Sequence, residues 1–421
     1  MCLIATIVFN IQRMKEININ NYRSDFYSKK LKNCRSFSDA PFTTKEELVR
    51  SQNDYPPYGG FMDSGKKIFQ IYRTSGTSAN PLLLSFTKKD VDIITEIGAE
   101  CFMHSGMGDW GNDEVVINCL NLSMWAGGFF DGQAMMKTGA QVVNFGTGNT
   151  IELLKLILSF NKKYKVSLHC TPSYLPIIEQ KLKDEFNKTL SALKIHALYL
   201  GAEGGVQNNS FRNNLIKKWK CRVYNANYGM SEVCSIMASA ADDNVLKYSP
   251  LFLKKYFAEL HFPDGRIIPL IDCASGDIGD VVVTSLFKES QPLVRYHTKE
   301  RIKIISAERN NIYFEVIGRS DNMIVYKGIN IFPEQFRSLV SKFPELTGLY
   351  QLKVVRKDYL VKNICIECEI KRGISFNENV IKQKLLLLIK GQFSVRPEIR
   401  FVEEIKREGN KLRILEFVDN L

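Results

Sequence analysis

A chain of 421 residues, 45% hydrophobic and 24% charged, is long enough for two or three domains and has the balance of an ordinary globular protein. Its net charge of +12 suits an acidic partner such as a polyphosphate or an acidic carrier protein; no aromatic–basic motif points to nucleic acid, and no run approaches the ~18 apolar residues of a membrane helix. The ten cysteines include one C-x-x-C pair, Cys365 and Cys368, with no second pair or histidine cluster to complete a zinc set, so reduced thiols in a cytoplasmic protein are expected and structural zinc is not.

Met1–Asn10 is apolar but lacks the basic lead and small-residue cleavage site of a signal peptide, and Met14 opens a more typical polar beginning. Gly60 to Lys67 nearly spells a phosphate-binding G-x-x-x-x-G-K-[ST] loop. Lys67 replaces the hydroxyl that would hold magnesium, and a strand-like run rather than a helix follows. That run, Ile68 to Tyr72, leads into Thr74, Ser75, Gly76, Thr77 and Ser78. Hydroxyls packed around one glycine can aim side chains and backbone N–H groups at a phosphate; a plain serine/threonine turn is the alternative.

Helical periodicity covers 90–103, 150–160 and 174–189, alternating with strand-like 115–119, 141–145, 197–200 and 222–224. This alternation predicts an α/β domain with a largely parallel sheet. Leu200-Gly201-Ala202-Glu203 is a glycine-rich turn at a strand end, where open α/β sheets bind ligands. In Tyr228-Gly229-Met230-Ser231-Glu232, read as a strand end and glycine turn, Tyr228 suits a base, Ser231 a phosphate and Glu232 Mg²⁺. Beyond about 250 the chain turns strand-rich (280–286, 313–317), with Pro263-Asp264-Gly265 as a turn. Glu300, closing Pro292 to Glu300, suits a ribose diol or a surface ion pair. Gly318 to Asn322 reads as a junction. Helical 333–343 and 378–391 with strand-like 363–370 then form a compact unit, and residues 318–421 carry 19 Lys+Arg against 13 Asp+Glu. No histidine sits in a catalytic local pattern.

In this order and spacing the segments, with Asn21 to Tyr27, Thr43-Thr44-Lys45 and Pro172-Ser173-Tyr174, resemble the adenylate-forming superfamily, specifically its phenylacetate–coenzyme A ligase family. The resemblance implies an α/β fold with a large multi-subdomain N-terminal adenylation domain (1–320) and a small mobile α+β C-terminal domain (321–421). It implies activation of a carboxylic acid, with an aryl acid as the class the family suggests, by ATP and Mg²⁺ to an acyl-adenylate, then transfer to coenzyme A or to the phosphopantetheine of a carrier protein. It places Thr74 to Ser78 on the triphosphate, Gly201, Ala202, Glu203 and Tyr228 on adenine, Ser231 near the α-phosphate and Glu232 on magnesium. It puts Glu300 and Arg319 at the ribose, Asp321 at the hinge, Gly328 beside the pantetheine arm and Lys411 at adenylation. Trp125, Gly128 and Tyr174, with Gly127, Phe129 and His169 nearby, are the candidates for the acid pocket.

The sequence departs from the family pattern at Ala79 and Asn80, where glycine and often lysine continue the phosphate loop, and at Lys299-Glu300, where Gly-Asp is usual. Asn410 stands where the adenylation lysine belongs, with Lys411 one residue late. Cys234 and His261 are the nearest residues to a metal site some relatives carry, without a full ligand set. These departures keep a catalytically degenerate adenylate-binding protein as the rival to a ligase, and a homodimer stays open.

Overall fold

The computed structural model describes residues 17–74, 81–109, 113–202, 206–207, 209–308, 311–320, 324–327, 329–331, 336–340, 342–357, 360–371, 374–405, 407–408, 411–412 and 415–419. The expectations for Met1–Asn10, Ser75, Gly76, Thr77, Ser78, Ala79, Asn80, Glu203, Asp321, Gly328 and Asn410 lie outside these residues.

Helix starts follow short-range capping chemistry. Thr87 caps the Lys88–His104 helix and Asp90 reaches back to the Thr87 N–H; Thr44 and Glu47 do the same for Lys45–Asp54. Asp90 also accepts from the N–H groups of Glu289 and Ser290, so one cap ties two distant segments.

The strands in chain order are β1 (Gln70–Arg73), β2 (Leu83–Phe86), β3 (Glu114–Asn118), β4 (Gln141–Asn144), β5 (Lys165–Cys170), β6 (Ala197–Gly201) and β7 (Arg222–Met230). There follow β8 (Cys234–Ala240), β9 (Leu246–Tyr248), β10 (Tyr256–His261), β11 (Ile267–Pro269), β12 (Ile278–Ser285), β13 (Tyr296–Glu308) and β14 (Asn311–Arg319). β1 and β2 form an antiparallel hairpin. The other twelve make one sheet in the order β11-β10-β12-β13-β14-β9-β8-β7-β6-β5-β3-β4. It is parallel from β4 to β7 and antiparallel beyond, so β7 is the strand where the two patterns meet.

The parallel half is buried between helices. β3 and β6 have no exposed residue, as expected of strands covered on both faces. The Ala126–Met136 helix, which sequence periodicity did not indicate, comes close to the sheet through glycines. A Cβ on Gly128 would lie 2.4 Å from the Asn121 carbonyl oxygen, and one on Gly132 would lie 2.2 Å from Asn144 Oδ1. Its unpatterned, glycine-rich surface explains why it was not read as amphipathic.

The chain divides into two compact units at Ser320/Asp321. The second holds β15 (Ile324–Tyr326) paired with β16 (Ile329–Ile331) and the four-stranded mixed sheet β19-β18-β17-β22, formed by β17 (Leu346–Lys357), β18 (Leu360–Ile370), β19 (Glu398–Val402) and β22 (Leu415–Asp419). β20 (Arg407–Glu408) and β21 (Lys411–Leu412) make a short ladder. Its core joins Ile381, Leu385, Ile389 and Phe393 of the Glu378–Phe393 helix to Phe336 and the apolar faces of β17 and β18. Cys365 and Cys368 are buried on β18, and the nine described cysteines are all free.

One buried cation stitches the first unit together. The Arg295 guanidinium donates to both carboxylate oxygens of Glu259 at 3.1 Å, to the Ala40 carbonyl at 2.9 Å and to the Ser38 carbonyl at 3.2 Å, and lies over the Phe42 ring. Burial pushes the Glu259 carboxyl above its ordinary range, and the arginine beside it pulls it back. Removing the cation leaves an uncompensated buried carboxylate. We therefore expect Arg295→Met to lower the urea-unfolding free energy by about 3–5 kcal/mol, and Glu259→Gln in that background to recover part of the loss.

Candidate functional site

The strand order reverses between β3 and β5, and the crevice beyond the carboxyl ends of strands at such a point is where open α/β sheets bind ligands. The sequence candidates gather along this edge. Trp125 follows β3 as N-cap of the Ala126–Met136 helix, and Tyr174 follows β5, its hydroxyl 3.0 Å from Thr150 Oγ1. Gly201 ends β6, and Ser231 and Glu232 follow β7.

The Tyr228 segment is built differently from its sequence reading. Tyr228 and Gly229 lie within β7, and the turn comes afterwards. The glycine serves close approach: its Cβ would stand 2.0 Å from the Ser235 carbonyl oxygen on β8. Gly201 is forced similarly, since its Cβ would lie 2.3 Å from the Asn227 Cβ on the paired strand. Ala202 next to it is left-handed at φ 60°. Gly201 and Ala202 therefore lie beside the residue preceding Tyr228. The Tyr228 ring packs edge-on against Phe314 of β14, at 5.1 Å between centroids.

Glu232 is buried between two lysines. Lys45 Nζ lies 2.7 Å from its Oε1, and Lys288 Nζ donates to its backbone carbonyl at 2.8 Å. Burial pushes the Lys288 ammonium down to about 8, against the pull of Asp90, Cys234 and Glu232. In the sequence Lys45 stands out only as part of Thr43-Thr44-Lys45, and no local pattern marks Lys288. A single carboxylate fits magnesium, which takes one or two protein carboxylates and otherwise substrate phosphates and water.

Thr74, at the entrance of the hydroxyl-rich loop, is buried and bonds the Leu82 backbone through its N–H and its Oγ1. Glu300 pairs in register with Arg319 across β13 and β14. Lys299, where a glycine is usual, lies within β13 beside its register shift against β12 and has a left-handed backbone at φ 63°, which a side chain adopts at a conformational cost. Lys411 opens β21 opposite Glu408 of β20.

Four neighbours are held by packing or hydrogen bonds. Gly128 is occupied by packing, as above. His169 is fully buried, its Nδ1 at 2.9 Å from the Tyr199 carbonyl oxygen and its Nε2 at 2.9 Å from Asp131, whose carboxylate also accepts from Asn227 and Ser235. That removes it from the acid-pocket candidates. Cys234 contacts the Ile236 carbonyl oxygen, whereas His261 Nδ1 lies 3.1 Å from His297 Nε2. Among the described residues no group of three or more His, Cys, Asp or Glu is arranged to hold a metal, and no helix is long and apolar enough to cross a membrane.

The AMP-binding enzyme C-terminal domain family matches residues 328–420. The phenylacetate–coenzyme A ligase of Aromatoleum evansii is 28% identical over 364 residues, covering 84% of this chain and 78% of its own. That of Escherichia coli K12 is 25% identical, covering 82% and 75%. Among solved structures, a 2-hydroxyisobutyryl-CoA ligase in complex with 2-HIB-AMP and CoA superposes with a TM-score of 0.80 at 18% identity, covering 94% of this chain and 86% of that one. The amide bond synthetase McbA of Marinactinospora thermotolerans gives 0.57 at 15%, covering 82% and 67%. At such identities the structural likeness is one of fold. The fold is that of the adenylate-forming enzymes. Residues 328–420 thus match one domain family, and over most of its length the chain is similar to phenylacetate–coenzyme A ligases.

Two measurements test this geometry. Gly229→Ala must push β7 from β8, and we expect a loss of about 3 kcal/mol in thermal or urea unfolding. Burial, helped by the nearby Lys299 charge, pushes His297 down to about 4 from 6.5. Between those values the unfolded chain binds the proton and the native chain does not, so stability falls as pH drops from about 6.5 to about 4. A melting-temperature series should show that slope reduced in His297→Asn.

Proposed function

We propose that the chain is an ATP-dependent, AMP-forming carboxylic acid–thiol ligase, with an aryl acid as substrate class and coenzyme A as acceptor. The observation that carries this reading is the buried Glu232 carboxylate, set beyond β7 beside Lys45 and Lys288, in a chain whose relatives are named as coenzyme A ligases.

In the first half-reaction a carboxylate oxygen of the acid attacks the α-phosphorus of ATP. The bond from that phosphorus to the bridging oxygen breaks, and pyrophosphate leaves. In the second, the thiolate sulfur attacks the acyl carbon and AMP leaves with the C–O electron pair. Both partners of the first step are anions, so positioning and charge neutralisation dominate the barrier. Mg²⁺, held by Glu232, supplies part of that neutralisation when bound. Thr74 with Ser75, Gly76, Thr77 and Ser78 would embrace the phosphates. Gly201, Ala202 and Glu203 would border the adenine beside Tyr228, Glu300 and Arg319 would take the ribose, and Ser231 would meet the α-phosphate. Trp125 and Tyr174 would border the acid. Lys411 would serve adenylation, and the second unit would turn about Asp321 between half-reactions, bringing Gly328 to the pantetheine arm. The division of the chain at Ser320/Asp321 supports that hinge, and the free cysteines support a reducing, cytoplasmic setting.

The test is carboxylate-dependent ATP–pyrophosphate exchange, followed by thioester formation with coenzyme A. We expect exchange with the wild type, a fall of about 10²-fold or more in Glu232→Gln, and a fall in Lys411→Ala larger for exchange than for thioester formation from preformed acyl-adenylate. ATP binding with no exchange for any acid would overturn the ligase reading in favour of a non-catalytic adenylate-binding protein.

A further inference from the structure

We propose that Arg73 is a specificity residue that binds a second anionic group on the acid substrate, so that the preferred acid is a dianion such as a dicarboxylate. This inference rests on the ligase reading above.

Arg73 ends β1, one residue before Thr74. Side chains alternate along a strand, so Arg73 faces away from the buried Thr74 hydroxyl. Its N–H donates to the Met124 carbonyl at 2.9 Å, it forms an isolated bridge with Trp125, and its guanidinium lies 5.6 Å from the Trp125 ring centroid. The Arg73 Nε atom is sealed from solvent and has no hydrogen-bond partner among the described residues.

A structural brace would be the plain explanation, with Trp125 as its partner. The balance of forces disfavours it. A cation–π contact is worth no more than the cost of burying an N–H without a partner, and that cost is greater where the group is charged. A guanidinium prefers a planar carboxylate that engages its fork of donors, and stacking on an aromatic ring leaves that edge free for one. Trp125 is also the N-cap of an eleven-residue helix and supplies no side-chain cap, which adds a positive helix end beside the same ring. Met124 and Phe129, both large and exposed, flank Trp125. The patch therefore combines apolar surface with one underused cation. An acid with an apolar body and two anionic groups fits it: one group reacts with ATP and the other meets Arg73. A monoanionic acid, its one carboxylate committed to ATP, leaves the guanidinium edge without an anion.

The experiment compares matched acids in ATP–pyrophosphate exchange, phenylacetate against 2-carboxyphenylacetate and butyrate against succinate, with wild type, Arg73→Ala and Arg73→Lys. A hydrogen-bonded charged pair contributes about 1.5–3 kcal/mol, or about 10- to 150-fold. We expect the wild type to favour the dianions by at least about tenfold in kcat/KM. The ratio should collapse toward one in Arg73→Ala and recover in part in Arg73→Lys. A raised KM for ATP with the acid ratio unchanged would place Arg73 on a phosphate and overturn the proposal, as would a wild-type preference for the monoacids. Tryptophan fluorescence titration with the same dianions, without ATP, separates the two readings. Saturable quenching lost in Arg73→Ala, without exchange, would retire the ligase reading and sustain the anion site. Exchange with monoacids alone would sustain the ligase and retire the anion site. Neither exchange nor quenching would overturn both.

Discussion

The interaction on which the site depends is the burial of Arg295. Its guanidinium reaches Glu259 on β10 and the carbonyls of Ser38 and Ala40. Its backbone carbonyl accepts from the Thr43 N–H, and the His297 N–H donates to the Thr43 carbonyl. Residues 38–43 are thereby fixed against β13. The Lys45–Asp54 helix starts two residues later, under the Thr44 cap, so the Lys45 ammonium has little freedom in where it meets Glu232. A charge deep in the antiparallel half thus sets the position of a charge at the proposed phosphate site. The cost of desolvating Arg295 is offset by a bidentate carboxylate and two carbonyls, the arrangement in which a buried ion pair can hold.

The second constraint is backbone distance at β7. A strand that pairs in parallel on one side and antiparallel on the other has both edges committed, and its neighbours crowd it. Gly229 and Gly201 are the positions where crowding excludes any Cβ. Chemistry concentrates here because β7 ends at the boundary of the two halves, within reach of groups from both. Tyr228 contacts β14, and Glu232 contacts the Lys45–Asp54 helix and Lys288.

Much of this was legible in the chain. The Lys88–His104, Thr150–Phe160 and Glu378–Phe393 helices carry the 3.6-residue period, and the parallel strands read as apolar runs. The strand order and the change of pattern at β7 were not legible, because pairing is a long-range property with no local signature. The Tyr228-Gly229 turn was misplaced for a related reason: a glycine demanded by a neighbouring strand looks in sequence like a glycine demanded by a turn. Lys288 was invisible because its partner lies 56 residues away. His169 was misjudged because only the fold reveals Asp131 beneath it.

The electrostatics of the candidate site follow from which groups can exchange partners. The Lys288 ammonium is buried and donates to a backbone carbonyl, so it holds the turn after β7 through the main chain rather than through the carboxylate. With its titration pushed down only to about 8, it stays mostly protonated at neutral pH. Lys45 instead touches the carboxylate itself, and its side chain is 22% exposed. Because the Lys45 side chain reaches solvent, water can take up its ammonium when it leaves, whereas the buried Glu232 carboxylate needs another cation in its place. A divalent cation arriving with phosphates could therefore replace Lys45 on Glu232. The freed ammonium would remain close enough to meet the added phosphate charge. A fully buried Lys45 would have held the carboxylate shut, and an apolar residue there would have left Glu232 buried without this counter-charge before nucleotide arrives.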